Sequence, residues 1–315
     1  MLCAVAFVKT IMKKYILLIF LALFSFSAIH AEIEWTLSDD GTLTISGTSI
    51  PDYDYRIIND KGTCSAPWFL QKEKIKKLVI KEGVRRIGTW AFVSCSNLTS
   101  VTIPNSVTTI GNCAFEDCES LTSVTIPNFV TSIGDRAFCG CESLTSITIP
   151  NSVTEIGDGA FESCYNLTSI ILPTSVTSIK KWTFEECRSL TSITIPNSVT
   201  TIGDCAFEEC TNLTSITIPN SVTSIEDMAF SGCSSLVFIT IPEFVTSMGE
   251  WVFADCSSLK SITMEGSTPP EFGRGVFFNV NRSNRVLYVP ANSIDAYKKA
   301  LGDDVEETSI QALQR

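Results

Sequence analysis

The sequence predicts a solenoid. We expect a curved, right-handed coil with a parallel β-sheet on its concave face, short strands and turns on the other face, and a cap at each end. Phenylalanine recurs every 23 residues from Phe92 to Phe253, cysteine from Cys95 to Cys256, and leucine from Leu98 to Leu259. So strict a period indicates units that bury their apolar faces only against their neighbours. The predicted structural ladders include Phe115, Phe138, Phe161, Cys118, Cys141 and Cys164.

Each unit begins with the pattern of a β-strand. In "LTSVTI", Leu98, Val101 and Ile103 are expected to point inward, while Ser100 and Thr102 alternate with them and point outward. The β-branched residues suit a pleated, half-buried strand. The proline that follows cannot donate a hydrogen bond to a ladder, so it ends the strand.

The remainder of the unit supplies the other walls of the core. Val107 and Ile110 form a second inward pair, and the glycine after Ile110 permits a tight corner. Ala114 and Phe115 fill the far side, and Cys118 is a small apolar residue where the chain turns back. Because this inward set carries no charge, it can fill a coil.

These motifs resemble those of a known family. The spacing Leu98-x-x-Val101-x-Ile103 is similar to the leucine-rich repeat strand, and "PNSVTTIGNCAFEDCES" resembles the BspA-like class of bacterial leucine-rich repeats. The resemblance covers residues 34–301, where "WTLSDDGTLTISG" is similar to the family's N-terminal cap. It implies a leucine-rich repeat solenoid, secreted or displayed at the cell surface, that adheres to host matrix proteins or to other cells.

The chain divides into four predicted segments. Residues 1–31 form a signal peptide, 32–74 an N-terminal cap, 75–258 eight repeats of 23 residues, and 259–315 a degenerate last repeat with a C-terminal cap. Terminal repeats are expected to be atypical because they must seal the exposed core.

The closing segment departs from the period. Phe277 lies 24 residues after Phe253 instead of 23, and the segment "TPPEFGRGVFFNVNRSNRVLYVPANSIDAYKKA" resembles a closing coil of the family. We expect one short amphipathic helix over residues 293–301, with Ser293 as its N-cap.

The N-terminus has the pattern of a secretory signal peptide. Lys13 and Lys14 precede an apolar run over residues 15–26, and Ala31 is the expected last residue before cleavage. The alternative, a membrane anchor, requires a longer apolar run. The mature chain is therefore expected to be secreted, either extracellular or at the cell surface, and not inserted into a membrane.

Composition excludes several classes of function. The chain has 23 Lys and Arg against 34 Asp and Glu, whereas nucleic-acid partners require clustered positive charge. The single histidine, His30, lies in the predicted signal peptide, so the mature chain has no Ser/His/Asp, Cys/His or His–metal arrangement. A glycine-rich phosphate-binding motif is also missing from the sequence. We expect neither an enzyme nor a bound cofactor or metal, and a hydrolase is the most remote hypothesis.

Cysteine usage leaves one question open. Equivalent Cβ atoms in a parallel ladder lie about 4.8 Å apart, whereas a disulfide requires about 3.8 Å. We therefore predict that the ladder thiols are free and buried. Cys113 and Cys139 lie off the ladder at nearby phases of adjacent coils, so a bridge between them stays open, as does one that involves Cys64.

Acidic residues recur in the turns. A paired-carboxylate hydrolase needs two acids in a cleft with one of them shielded, whereas these acids recur along a ridge. We predict a solvated acidic edge; calcium binding is the weaker alternative because the sequence has no DxDxDG-type loop. The ridge comprises Glu116, Asp117, Glu119, Asp135, Asp158, Glu162, Glu185, Glu186, Asp204, Glu208, Glu209 and Asp227.

The outward strand positions carry the candidate ligand contacts. Small hydroxyl side chains form a ladder there, for example Ser100, Thr102, Ser146 and Thr148. Hydrophobic residues that interrupt the repeat are the candidate anchors, since aromatic side chains are enriched at binding hot spots. The alternative is that Ser and Thr simply suit exposed strands and that scattered apolar residues are normal. The four candidate anchors are Ile171 and Phe238, which interrupt this ladder, and Phe129 and Phe244, which replace the serine of "NSV".

Two functional hypotheses follow. The first is a secreted or surface-exposed protein that adheres to proteins or glycans of a host matrix or of other cells through its solenoid surface, since solenoids present extended concave surfaces. The alternative is a structural scaffold, periplasmic or extracellular, without a single ligand.

Overall fold

The predicted parallel β-solenoid is confirmed. The computed structural model describes residues 33–58, 61–281, 285–302 and 309–314, which form a solenoid of about ten coils with little helix. The signal peptide predicted for residues 1–31 lies outside the described residues. The segment boundaries, the right-handed curvature and the two caps stay predictions.

The strands with outward serine and threonine form the first sheet. Neighbouring coils pair in parallel and in register, with Ser146 opposite Ser123 and Thr148 opposite Thr125. The described residues give it nine strands: Glu34–Leu37, Thr42–Ser46, Lys77–Ile80, Ser100–Thr102, Ser123–Thr125, Ser146–Thr148, Ser169–Ile171, Ser192–Thr194 and Ser215–Thr217. A four-stranded group follows: Phe238–Ile241, Ser261–Met264, Val286–Val289 and Ile310–Ala312.

Two-residue strands form a second ladder beyond the proline turn of each coil. Ile110 and Ile133 of neighbouring strands pair in parallel and are buried, which confirms the second inward position. One group is Arg86–Ile87, Thr109–Ile110, Ser132–Ile133 and Glu155–Ile156. The other is Ser178–Ile179, Thr201–Ile202, Ser224–Ile225, Ser247–Met248 and Glu271–Phe272.

The segment predicted as an N-terminal cap already contributes to the first sheet. Its strand Thr42–Ser46 pairs in parallel with Lys77–Ile80 and antiparallel with Glu34–Leu37. It also contains an antiparallel hairpin, Tyr55–Ile58 with Lys61–Cys64, and a 3₁₀ helix, Phe69–Lys74.

Phenylalanine side chains form one buried column through the solenoid. From Phe92 to Phe277, ring centroids of successive coils lie 5.3 to 5.9 Å apart and their planes are within 19° of parallel. Trp68 begins the column with its ring 5.4 Å from that of Phe92. The 23-residue period therefore places equivalent rings in contact.

A third face closes each coil and includes the buried phenylalanine. One residue in the left-handed conformation lies two positions before this phenylalanine, and another lies two positions after it. In one coil these are Cys113 (φ 53°) and Asp117 (φ 57°). The N–H groups of Cys113, Phe115 and Asp117 donate to carbonyl oxygens of the following coil at 2.8 to 2.9 Å. The same three bonds recur in every coil from Trp90 to Asp255, so this face is hydrogen-bonded although it has no β-strand.

The cysteine ladder is a column of free thiols. Each S–H from Cys118 to Cys256 donates to the phenylalanine carbonyl of the preceding coil at 3.1 to 3.3 Å. Burial raises the pKa of Cys118 well above its usual value. The prediction of free, buried ladder thiols is thus confirmed, and Cys64, Cys113 and Cys139 are also free.

The glycine at the corner of the coil permits close approach. A Cβ atom on Gly111 would lie 2.8 Å from the backbone nitrogen of Thr89, closer than real Cβ atoms come. The neighbouring coil therefore excludes a side chain at this position.

The C-terminal helix is confirmed with Ser293 at its N-cap position, but the expected capping bond of the serine side chain does not form. The helix spans Ile294–Leu301, and Ser293 makes no side-chain cap bond. The Ser293 hydroxyl donates instead to the Ser267 carbonyl at 2.7 Å. The buried Tyr297 hydroxyl donates to the Gly266 carbonyl at 2.9 Å, so this helix is fixed to the last coils by side chains.

Candidate binding surface

The strand face consists of the outward side chains of the strands from Ser100–Thr102 to Ser261–Met264. Alternation along each strand turns the aliphatic residues inward and leaves Ser100, Thr102, Ser146 and Thr148 exposed. Within the described residues, these four hydroxyls have no intramolecular hydrogen-bond partner. They are therefore available to a ligand.

A neighbouring column of threonines serves the solenoid instead. Thr99 and Thr168 each donate a side-chain hydrogen bond to the carbonyl 23 residues earlier, at 2.9 and 3.0 Å. Hydroxyl groups one residue apart in the sequence thus have different roles, because one lies on the strand face and the other meets the preceding coil.

The strand face is uncharged although the chain carries a formal charge of −11. In the strands from Ser100–Thr102 to Ser261–Met264, every outward position holds serine or threonine except Ile171 and Phe238. Charged groups would have to lose their hydration in an interface. An uncharged face avoids that cost.

Two candidate anchors lie on this face. Ile171 is 64% exposed and lies between Thr148 and Thr194 of the adjacent strands. Phe238 is 55% exposed and lies opposite Ser261. Val237, also exposed, precedes Phe238 and takes the place of a column threonine.

The other two candidates lie on the turn that follows the strand. Most coils have serine there; the hydroxyls of Ser152 and Ser221 donate to a valine carbonyl of the preceding coil at 2.6 Å. Phe129 and Phe244 replace this serine, give up its bond and expose more than half of their side chains.

The structure therefore separates the four candidates. Val237, Phe238 and Phe244 belong to one coil, whereas Ile171 lies three coils earlier and Phe129 two coils before that. Phe238 lies on the strand face, and Val237, in the neighbouring threonine column, adds a second exposed apolar side chain next to it in the chain. Sequence reasoning missed Val237, although its interruption of the threonine column was visible.

The acidic residues of the third face are less exposed than predicted. Glu116 and Glu162 are mostly buried, and both interact with Arg136, at 3.5 Å from its Nε and 2.9 Å from its Nη2 respectively. Burial raises the pKa of both carboxyls, while Arg136 opposes the shift. A fully solvated edge was thus the wrong expectation for these residues, because the left-handed turns fold the side chains against adjacent coils.

Glu185 continues this carboxylate column but forms no salt bridge itself with the described residues. Burial, together with Glu162 and Glu208, raises its pKa to about 7. Within the described residues, His, Cys, Asp and Glu side chains form no group suited to hold a metal ion. The carboxylates of this column therefore raise one another's pKa through their like charges.

Other ridge residues support the backbone. Asp135 accepts the N–H of Asp158 at 2.9 Å, and Asp227 accepts the N–H of Glu250 at 2.7 Å. Both bonds join adjacent coils at the corner. These carboxylates are structural, which the repeat spacing alone did not indicate.

Comparisons with known proteins give one consistent result. The family model described as the BspA type leucine rich repeat region matches residues 64–191 and 178–298, in six copies. Among solved structures, a leucine-rich repeat protein from Bacteroides ovatus is 29% identical with a TM-score of 0.69, over 91% of this chain and 77% of that protein. A leucine-rich repeat protein from T. pallidum is 30% identical with a TM-score of 0.50, over 72% of this chain and 87% of that protein. Curated protein sequences offer no significant match.

Proposed function

The chain belongs to the BspA-type leucine-rich repeat family of bacterial proteins, and on that premise we propose that it binds other macromolecules through its strand face. The observation that carries the proposal is the exposed pair Val237–Phe238, in which Phe238 interrupts the column of outward strand serines. No catalytic role is assigned to any residue.

The strand face combines features that an interface needs. The free hydroxyls of Ser100, Thr102, Ser146 and Thr148 can donate and accept hydrogen bonds without first breaking intramolecular ones. Full burial of a phenylalanine side chain contributes about 1.5–3 kcal/mol, so Phe238 alone supplies a useful share of an affinity. The absence of charge from the outward positions favours a protein or glycan surface over a polyanion.

We further propose that the protein acts outside the cytoplasm, as an adhesin for host matrix or other cells. Support comes from the signal-peptide pattern at residues 12–31 and from the family resemblance. In the described part of the chain, none of the helices has the length and apolarity needed to cross a membrane.

A structural scaffold without a single ligand is the second candidate. The observation that favours it is the near-identity of the coils, since strands such as Ser146–Thr148 and Ser192–Thr194 present the same residues. A uniform surface offers no unique contact. The departures at Val237 and Phe238 favour the first candidate.

A binding assay with a matched pair of variants tests the proposal. The change Val237→Thr with Phe238→Ser restores the common sequence of the unit. We expect it to weaken binding to immobilised extracellular-matrix proteins or glycans at least tenfold, or about 1.4 kcal/mol. Phe129→Ser removes a similarly exposed ring away from the strand face and should leave binding unchanged.

The outcomes separate the candidates. Saturable binding that the double variant does not weaken would contradict the assignment to Val237 and Phe238. Lack of saturable binding across matrix proteins and glycans would favour the scaffold.

A further inference from the structure

The charges of the solenoid are separated along the chain. Residues 71–90 hold seven basic side chains and two glutamates, whereas residues 201–271 hold ten acidic side chains and one lysine. Within one copy, these opposite charges lie in different coils. Two copies can bring the basic region of one chain next to the acidic region of the other.

The basic region presents a protruding apolar side chain. Leu70 lies in the 3₁₀ helix Phe69–Lys74 and is 97% exposed, the most exposed large hydrophobic residue among those described. Lys72 and Lys74 follow it on the same helix, with Glu73 between them, and Lys72 Nζ lies 4.7 Å from the centroid of the Phe69 ring. The helix thus offers an apolar knob followed by two positive charges.

The acidic region presents a depression on the third face. Met228, Trp251 and Phe278 form apolar walls around a volume of about 560 Å³. Gly275 makes room for the indole, because a Cβ atom there would lie 2.7 Å from Trp251 Cδ1. Phe278, 62% exposed, occupies the position that glutamates such as Glu185 hold in earlier coils.

The charges around the depression are mainly negative. Asp255 and Arg274 both line it, and Asp227 and Glu250 directly precede Met228 and Trp251 in the chain. The depression therefore combines an apolar interior with an acidic surround, which is the complement of Leu70 and its two lysines.

We propose that a second copy of this chain occupies the depression, with Leu70 inserted between Met228, Trp251 and Phe278. The knob and the depression are different surfaces, so the contact is heterologous and leaves one of each free at the ends of every assembly. Association can then continue from copy to copy. The strand face takes no part in this contact, so the inference does not depend on the function proposed above.

Sedimentation of the purified chain over a range of concentrations tests this contact. The mean mass should rise with concentration, and association should weaken as added salt screens the opposite charges. Leu70→Ser and Phe278→Ser should each weaken association at least tenfold. An equimolar mixture of the two variants retains one intact knob and one intact depression, so it should form dimers that do not grow further.

Phe129→Ser is the matched control, because Phe129 is also 62% exposed but lies far along the chain from both surfaces. It should associate like the unchanged protein, and unchanged circular dichroism should confirm that all variants fold. A chain that stays monomeric overturns the proposal and leaves the depression to another partner. Association that survives in both variants, or a mixture that forms no dimers, overturns it as well.

Discussion

Two coils with the same core have different surfaces. The coil 144–166 follows the repeat, with Ser146, Ser152 and a glycine in the first left-handed position. The coil 236–258 has Phe238, Phe244 and Trp251 in those three positions. Their inward residues are equivalent and buried in both coils: Leu144 and Leu236, Ile147 and Ile239, Phe161 and Phe253, Cys164 and Cys256. The solenoid therefore fixes its core and leaves its surface free to change.

The largest expected effect tests whether the two cores are equal. Phe161 lies 5.8 Å from each neighbouring ring, and Phe253 lies 5.6 and 5.9 Å from its neighbours. Phe161→Ala and Phe253→Ala should each lower the free energy of unfolding by about 3–5 kcal/mol, because each leaves a cavity in the column. Urea unfolding followed by circular dichroism measures this loss.

The surface residue Phe238 provides the control for both core changes. Phe238→Ala should cost less than about 0.5 kcal/mol, as is usual for surface substitutions. A much smaller loss for Phe253→Ala than for Phe161→Ala would show that the departing coil is less well packed.

A smaller effect tests the turn where the two coils differ. Ser152→Ala removes the hydrogen bond to the Val130 carbonyl and should cost about 1 kcal/mol. Phe244→Ser introduces the equivalent donor towards the Val222 carbonyl and should stabilise by up to about 1 kcal/mol. Opposite shifts of the thermal midpoint would show that Phe244 reduces stability in exchange for an exposed ring. Shifts of the same sign would refute this interpretation.

The smallest effect concerns a charge in the coil 167–189, which directly follows the first of the two coils. The pKa of Glu185 is about 7 in the folded chain against a usual value of 4.5. Between these values the unfolded chain releases a proton that the folded chain retains, so stability falls as pH rises through this window. Glu185→Gln removes this loss.

Thermal unfolding of Glu185→Gln at two pH values measures the effect. The variant should be more stable than the unchanged protein at pH 8 by about 1 kcal/mol or less, since solvent partly screens the carboxyl group. At pH 4 the two should be alike. A gain of equal size at both pH values would assign the effect to packing instead of titration.

The sequence predicts the core of this protein better than its surface. Phe115 and Cys118 are equivalent in every coil, so one period places all of them in columns. Glu116 and Asp135 also recur, but their burial and bonding depend on the left-handed turns at Cys113 and Asp117. The residue types at these two positions do not predict a left-handed conformation. The regular spacing of the acids resembles that of a solvated ridge, although some carboxylates accept backbone N–H groups of the next coil.

The candidate contacts show the same limit. Phe238 and Phe129 stand out equally as departures from the repeat, because both replace serine. The proline before Phe129 already places it beyond the strand, but only the structure shows how far each ring is exposed. Leu70 and Phe278 could not be selected from the sequence, since their exposure depends on a short helix and on the shifted last coil.

The amide groups of the third face have an electrical consequence. From Trp90 to Asp255, all three N–H groups of each coil point towards the following coil. Aligned peptide dipoles add, so this face carries partial positive charge at the end of the last coils and partial negative charge at the first. The lysines near the beginning and the carboxylates near the end match that polarity. The dipole of the third face thus has a sense opposite to that of an α-helix of the same chain direction, whereas N–H groups of the other faces, such as those of Thr131 and Gly134, donate to the preceding coil.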